Sequence, residues 1–189
     1  IRLTSMPVDA DGSTLGAGAA SAKDDGTFEL KGLTGPRLIR VGSAPPGWTL
    51  QSGKLHGTDI TDTGAELKAG ETTSGLEVEL TNKATAVNGS VTASDGSLLK
   101  DYTVVIFSEA PDHWRLPMTR WVTGTRPDQD GRFKVQNLPA GHYLAVAVDY
   151  VPQGEWGDPE LLDRLKSKAK RFTLDEGATH TLDLKLSDF

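Results

Sequence analysis

Any chemistry in this chain would have to come from four histidines, 26 carboxylates and four tryptophans, because it contains no cysteine. That composition removes disulfides, thiol nucleophiles and cysteine-ligated zinc. A Gly-x-Ser-x-Gly elbow, a phosphate loop and a dinucleotide fingerprint are missing too. The tight acid–histidine cluster is Glu109 with Asp112-His113. Its place around Pro111 predicts a solvated hairpin tip rather than a general acid–base pair. Asp128-Gln129-Asp130-Gly131 and Asp9-Ala10-Asp11-Gly12 each set two carboxylates at i and i+2 before a glycine. A calcium loop can use that spacing, so Asp128 and Asp130 are weak metal candidates. Neither run reaches a bidentate glutamate at the twelfth position, and Asp-Gly is first of all a turn. No cofactor is expected.

The aromatics offer the better lead. Trp114, Trp121, Trp156 and Tyr150 all fall in the second half of the chain, among Asp112, His113, Arg115, Arg120, Arg126 and Glu155. A sugar platform needs an apolar face for the ring and polar groups for its hydroxyls. Trp114, Trp121, Trp156 and Arg120 are therefore the candidate glycan-binding residues. The competing expectation is that Trp121 and Trp156 cover the edge of a thin core. Trp48, after Pro45-Pro46-Gly47, is expected to pack at a domain edge.

The elements that would position these side chains read as short strands. Thr27–Leu30, Leu76–Leu80 and Thr181–Leu186 alternate apolar with polar, the period of a half-buried strand. Asp11-Gly12, Asp25-Gly26, Asp95-Gly96 and Asp130-Gly131 mark turns between them. Many short strands without alternating helices indicate an all-β fold of antiparallel sandwiches. One segment differs: Asp158-Pro159-Glu160 is a helix start, and Leu161, Leu162, Leu165 and Ala169 share a face. It predicts one amphipathic helix over residues 158–169, packed on a sandwich.

A repeat sets the organisation. Asp25-Gly26-Thr27-Phe28-Glu29-Leu30-Lys31-Gly32-Leu33 returns as Asp130-Gly131-Arg132-Phe133-Lys134-Val135-Gln136-Asn137-Leu138. An apolar strand follows each copy, at Leu38–Val41 and Tyr143–Val148. Each copy closes alike, with Gly70-Glu71 before Leu76–Leu80 and Glu176-Gly177 before Leu182–Leu186. Two domains are expected, residues 1–82 and 83–189. The copies are unequal at the front. The second opens with Ala86–Thr92, a turn at Asp95-Gly96 and a strand at Tyr102–Phe107, whereas the first has a counterpart only to that last strand, at Ile1–Ser5. The first is expected to lack its N-terminal strand, which would leave an open sheet edge. The chain is expected to be part of a longer protein. In a bolder variant, a neighbouring subunit donates the strand.

The run Ala86-Val87-Asn88-Gly89-Ser90-Val91-Thr92, then Asp95-Gly96, then Asp130-Gly131-Arg132-Phe133 through Leu138-Pro139-Ala140-Gly141-His142-Tyr143, resembles the carboxypeptidase regulatory-like domain. The first copy departs from the pattern, having Thr34-Gly35-Pro36-Arg37-Leu38 where Leu-Pro-x-Gly-x-Tyr continues. The resemblance implies a transthyretin-like sandwich, close in shape to Cna B-type domains, and its motifs are structural. It implies no peptidase activity, since His56, His113, His142 and His180 lack the His-x-x-Glu spacing of a catalytic carboxypeptidase. A net charge of −6 without a basic cluster argues against nucleic acid as a partner. No stretch approaches the ~20 apolar residues of a helical membrane span. The sequence thus reads as a non-enzymatic, extracellular or cell-surface module (the periplasm being the other compartment). Its expected partners are other domains of its protein or identical subunits. The alternatives are a carbohydrate-binding accessory module and a filament subunit completed by strand donation.

Overall fold

The computed structural model describes residues 1–8, 18–116 and 118–188. The turn expected at Asp11-Gly12 lies outside them. The protein is mostly β, built from sheets that pair antiparallel except where Thr179–Thr181 and Leu184–Lys185 join Ala86–Thr92 in parallel. It has a single α-helix among the described residues and divides into two compact units, Ile1–Lys83 and Ala84–Phe189.

The first unit contains β1 (Arg2–Pro7), β2 (Gly18–Ser21), β3 (Gly35–Ser43), β4 (Thr49–Leu55), β5 (Thr58–Asp59), β6 (Ala65–Leu67) and β7 (Leu76–Thr81). They form two sheets, ordered β2-β1-β3-β6 and β5-β4-β7. Leu3, Leu38, Ile39 and Ile60 are its buried apolar residues. Buried Thr61 pins the β4–β5 hairpin, its hydroxyl accepting from the Gly53 amide at 2.8 Å. One expected strand is not formed. Thr27–Leu30 joins no sheet, despite its alternation, because no strand among the described residues lies beside it to take its hydrogen bonds.

The second unit contains β8 (Ala86–Thr92), β9 (Thr103–Ser108), β10 (Val122–Thr125), β11 (Arg132–Gln136), β12 (Gly141–Val148), α1 (Pro159–Lys166), β13 (Lys170–Leu174), β14 (Thr179–Thr181) and β15 (Leu184–Lys185). One sheet runs β10-β9-β12-β13. The other runs β11-β8-β14, with β15 also paired to β8. Val87, Val91, Val104, Ile106, Phe133, Tyr143 and Leu182 meet in the core shared by the two sheets. Strands β9 and β12 are buried on both faces, so their outward residues Val105, Phe107, Leu144 and Val146 need a second cover. Leu161, Leu162 and Leu165 of α1 supply it, together with Trp114. Each buried leucine contributes about 1.5–3 kcal/mol by leaving water.

Helix α1 starts where its cap predicts: the Asp158 carboxylate accepts from the Glu160 amide at 2.9 Å. It ends earlier than the expected 169. The Lys168 and Ala169 amides donate three residues back, to Leu165 and Lys166, which tightens the last turn before β13.

Gly89 sits at the centre of β8, opposite Phe133. A Cβ there would fall 1.9 Å from the Leu182 carbonyl oxygen and 3.1 Å from the Phe133 ring. Only a residue without a side chain lets the backbone of the closing segment come that near. Gly89→Ala should therefore lower the stability of the second unit by about 3 kcal/mol, read from chemical denaturation. Leu162→Ala should cost about 2–5 kcal/mol in the same measurement. An unchanged midpoint for either would contradict the packing described.

Candidate functional site

The Asp-Gly turns use their carboxylates locally. Asp25 accepts from the amide and hydroxyl of Thr27, at 2.9 and 2.7 Å. Asp95 does the same with Ser97, at 2.9 and 2.6 Å. These bonds hold both carboxyls below the usual aspartate value, the side-chain hydroxyl acting most strongly. Gly26, Gly96 and Gly131 follow at φ +82°, +88° and +76°, the left-handed region where a side chain is strained. Asp128 accepts from the amides of Asp130 and Arg132, both at 2.9 Å, so one oxygen of this calcium candidate is committed to its own turn. Asp130 is exposed beside it. Among the described residues no three His, Asp or Glu side chains come together in a metal-holding group. Asp9 and Asp11 lie outside the described residues.

The tip around Pro111 joins the antiparallel strands β9 and β10 and exposes Pro111, Asp112 and Arg115, as expected, but it buries Trp114. Residues Pro111–Arg115 form a 3-10 turn that folds back over the sheet. Ser108, at the end of β9, organises it. Its Oγ lies 2.8 Å from His113 Nδ1 and accepts from the Ala110 amide, while its carbonyl accepts from the Trp114 indole at 2.7 Å. A serine–histidine contact of this length also occurs in nucleophilic sites, but this serine is buried and its hydroxyl ties strand end to turn. Glu109 faces Arg171, 3.1 Å away.

The candidate glycan residues take part in packing: Trp114 and Trp156 belong to the cluster under α1, and Trp121 to the one between the sheets. Trp114 is only 5% exposed, set edge-on against Phe107 in the cluster under α1. Trp121 packs against the other cluster, the one shared by the two sheets. Trp156 lies over Gly124, where a Cβ would come within 2.4 Å of its ring. Arg120, Trp121 and Trp156 are half-buried. Among the described residues the exposed large aromatics are Tyr150, with the Arg126 guanidinium 4.8 Å from its ring centroid, and Trp48, 45% exposed at the position expected to pack.

Sequence spacing gave no hint of a row of rings that the fold assembles. His113 stacks on Trp121 (centroids 4.1 Å apart), Trp121 on Tyr143 (6.1 Å), Tyr143 on Phe172 (5.7 Å) and Phe172 on His180 (4.9 Å). Tyr143 and Phe172 face each other across β12 and β13, and His180 belongs to the opposite sheet. The row thus passes from one sheet to the other. Such stacks add about 0.5–1.5 kcal/mol per pair beyond area burial.

The first unit carries a cleft of about 710 Å³. It is lined by residues 28–34 and 70–76, together with Arg37, Ile39, Leu55, Ile60 and Leu67. The fully buried Arg37 donates from Nε to the Thr34 carbonyl at 2.8 Å.

No protein-family profile matches the chain, and no curated protein sequence does. Solved structures give distant likenesses. A streptococcal ancillary pilin is 13% identical, with 98% of this chain and 61% of that one covered, at a TM-score of 0.39. A minor pilin of Streptococcus agalactiae is 11% identical, with 97% and 80% covered, at 0.34. Catechol 1,2-dioxygenase from Acinetobacter is 12% identical, with 54% and 52% covered, at 0.31. The chain therefore spans about half of the dioxygenase and about three-fifths of the ancillary pilin.

Tyr102 is fully buried and donates from its hydroxyl to the Gly131 carbonyl at 2.8 Å. Burial, assisted by the nearby Asp128 charge, pushes its phenol up from 10.0 to about 12. The neutral phenol is the form that fits, so its contribution is complete below pH 10 and is lost as pH rises through about 12. Alkaline titration followed by ultraviolet absorbance should show a late-ionising tyrosine that is absent in Tyr102→Phe. Asp128→Asn, which keeps the turn's acceptor and removes the charge, should lower that value.

Proposed function

We propose that this chain is a non-catalytic structural module of an exported bacterial protein. In this reading residues 1–82 and 83–189 are tandem carboxypeptidase regulatory-like sandwiches, the first without its N-terminal strand. They serve outside the cell as spacer, stalk or surface-assembly unit, with neighbouring domains or identical subunits as partners. The observation that carries the reading is that the landmarks of the repeated motif are spent on architecture. Gly131 makes the turn, Phe133 and Leu138 fill the core, and Gly89 clears the Leu182 carbonyl. The Tyr143 ring is buried while its hydroxyl donates to the Pro139 carbonyl at 2.8 Å, which ties the turn to the strand that follows it. Short joining also suits a spacer, since β7 ends at Thr81 and β8 begins at Ala86. No helix among the described residues is long and apolar enough to cross a membrane.

A load-bearing spacer should lengthen in discrete events when pulled from its ends. Single-molecule stretching is expected to give two separate unfolding steps, one per unit, and incubation with peptide and glycoside panels no turnover. Turnover abolished by a single side-chain substitution would sink the reading, as would extension without discrete steps.

A further inference from the structure

We propose that the cleft of the first unit is an acceptor groove for one added β-strand, supplied by polypeptide outside these 189 residues and patterned apolar-x-Gly-x-apolar. The template lies in the same chain. In the second unit β8 pairs antiparallel with β11, Phe133 facing Gly89 and Val135 facing Val87. On its other side β8 pairs parallel with β14 and β15. The repeat maps β11 onto residues 27–31, β14 onto residues 73–75 and β15 onto residues 78–79, inside β7. In the first unit residues 28–31 and 73–75 line the cleft, together with Leu76 at the start of β7. Residues 27–31 lie outside every sheet, and β7 is the edge of its own.

Burial follows the same contrast. Phe133, Val135, Leu138 and Leu182 are buried, whereas their counterparts Phe28, Leu30, Leu33 and Leu76 are half-buried. An inserted strand would give residues 27–31 a ladder and cover those four side chains, the mode of β-strand addition. The register transfers as well. Opposite Phe28 the incoming residue must be glycine, because β8 meets Phe133 with Gly89 and a Cβ there would strike the closing backbone. Apolar residues belong two positions to either side, as Val87 and Val91 do.

The probe is a synthetic peptide with the sequence of residues 84–94, titrated into the full chain and followed by amide hydrogen exchange. Exchange at residues 27–31 and 73–78 should slow by about tenfold or more at saturation. A peptide with valine in place of the glycine should leave it unchanged. A second arm joins a copy of residues 84–102 ahead of Ile1, which places the strand in cis at high effective concentration. Protection there should match or exceed that from the free peptide. No protection in either arm overturns the proposal, as does equal protection by the valine peptide. Concentration-dependent dimerisation that covers the same amides and resists the peptide also overturns it, by making a second copy the occupant. Turnover of a substrate would sink the non-catalytic reading and leave these exchange results unmoved.

Discussion

Strands β9 and β12 carry apolar side chains on both faces, and much of the second unit follows from that constraint. An antiparallel sheet in a two-layer sandwich ordinarily wets its outer face. Here the outer face would expose Val105, Phe107, Leu144 and Val146 together. The chain answers with α1 and the 3-10 turn before β10, each placed in a connection on that side. Trp114 is drawn into the cover for the same reason. Its burial is a packing requirement, and it removes from solvent one of the three candidate platform rings.

The opposite layer depends on one strand. β8 is bonded on both sides, and its central glycine sets how near the closing segment can come. In the first unit the alternating run at 27–31 stays outside any sheet among the described residues. The contrast between two copies in one chain separates two contributions. Alternation tells a segment which face to bury, and a neighbouring strand gives it hydrogen bonds.

Much of the fold was legible in advance for local reasons. Asp-Gly with a following Thr or Ser encodes a turn through its own side-chain bonds, as at Asp25 and Asp95. The cap at Asp158 encodes the start of α1, and its three leucines encode the buried stripe. The end of α1 was less legible, because the final turn tightens within the same lysine-rich run that leads into β13. The candidate site was the least legible part. Tryptophans amid charged residues suggest an exposed platform, yet exposure depends on what the opposite layers leave uncovered.

The sequence by itself determined the β class, the repeat, the turns at Asp25-Gly26, Asp95-Gly96 and Asp130-Gly131 and the start of the helix. Those features rest on interactions within a few residues, or on side-chain alternation along one segment. Tertiary structure alone decided that Trp114 is buried, that Ser108 organises the turn at Pro111, and that five rings stack from His113 to His180. It also decided that residues 28–34 and 70–76 line one cleft. Each of these joins residues far apart in the chain or depends on a neighbouring layer. The physical reason is the same throughout: local geometry is written in spacing, whereas burial and register depend on which distant strands become neighbours.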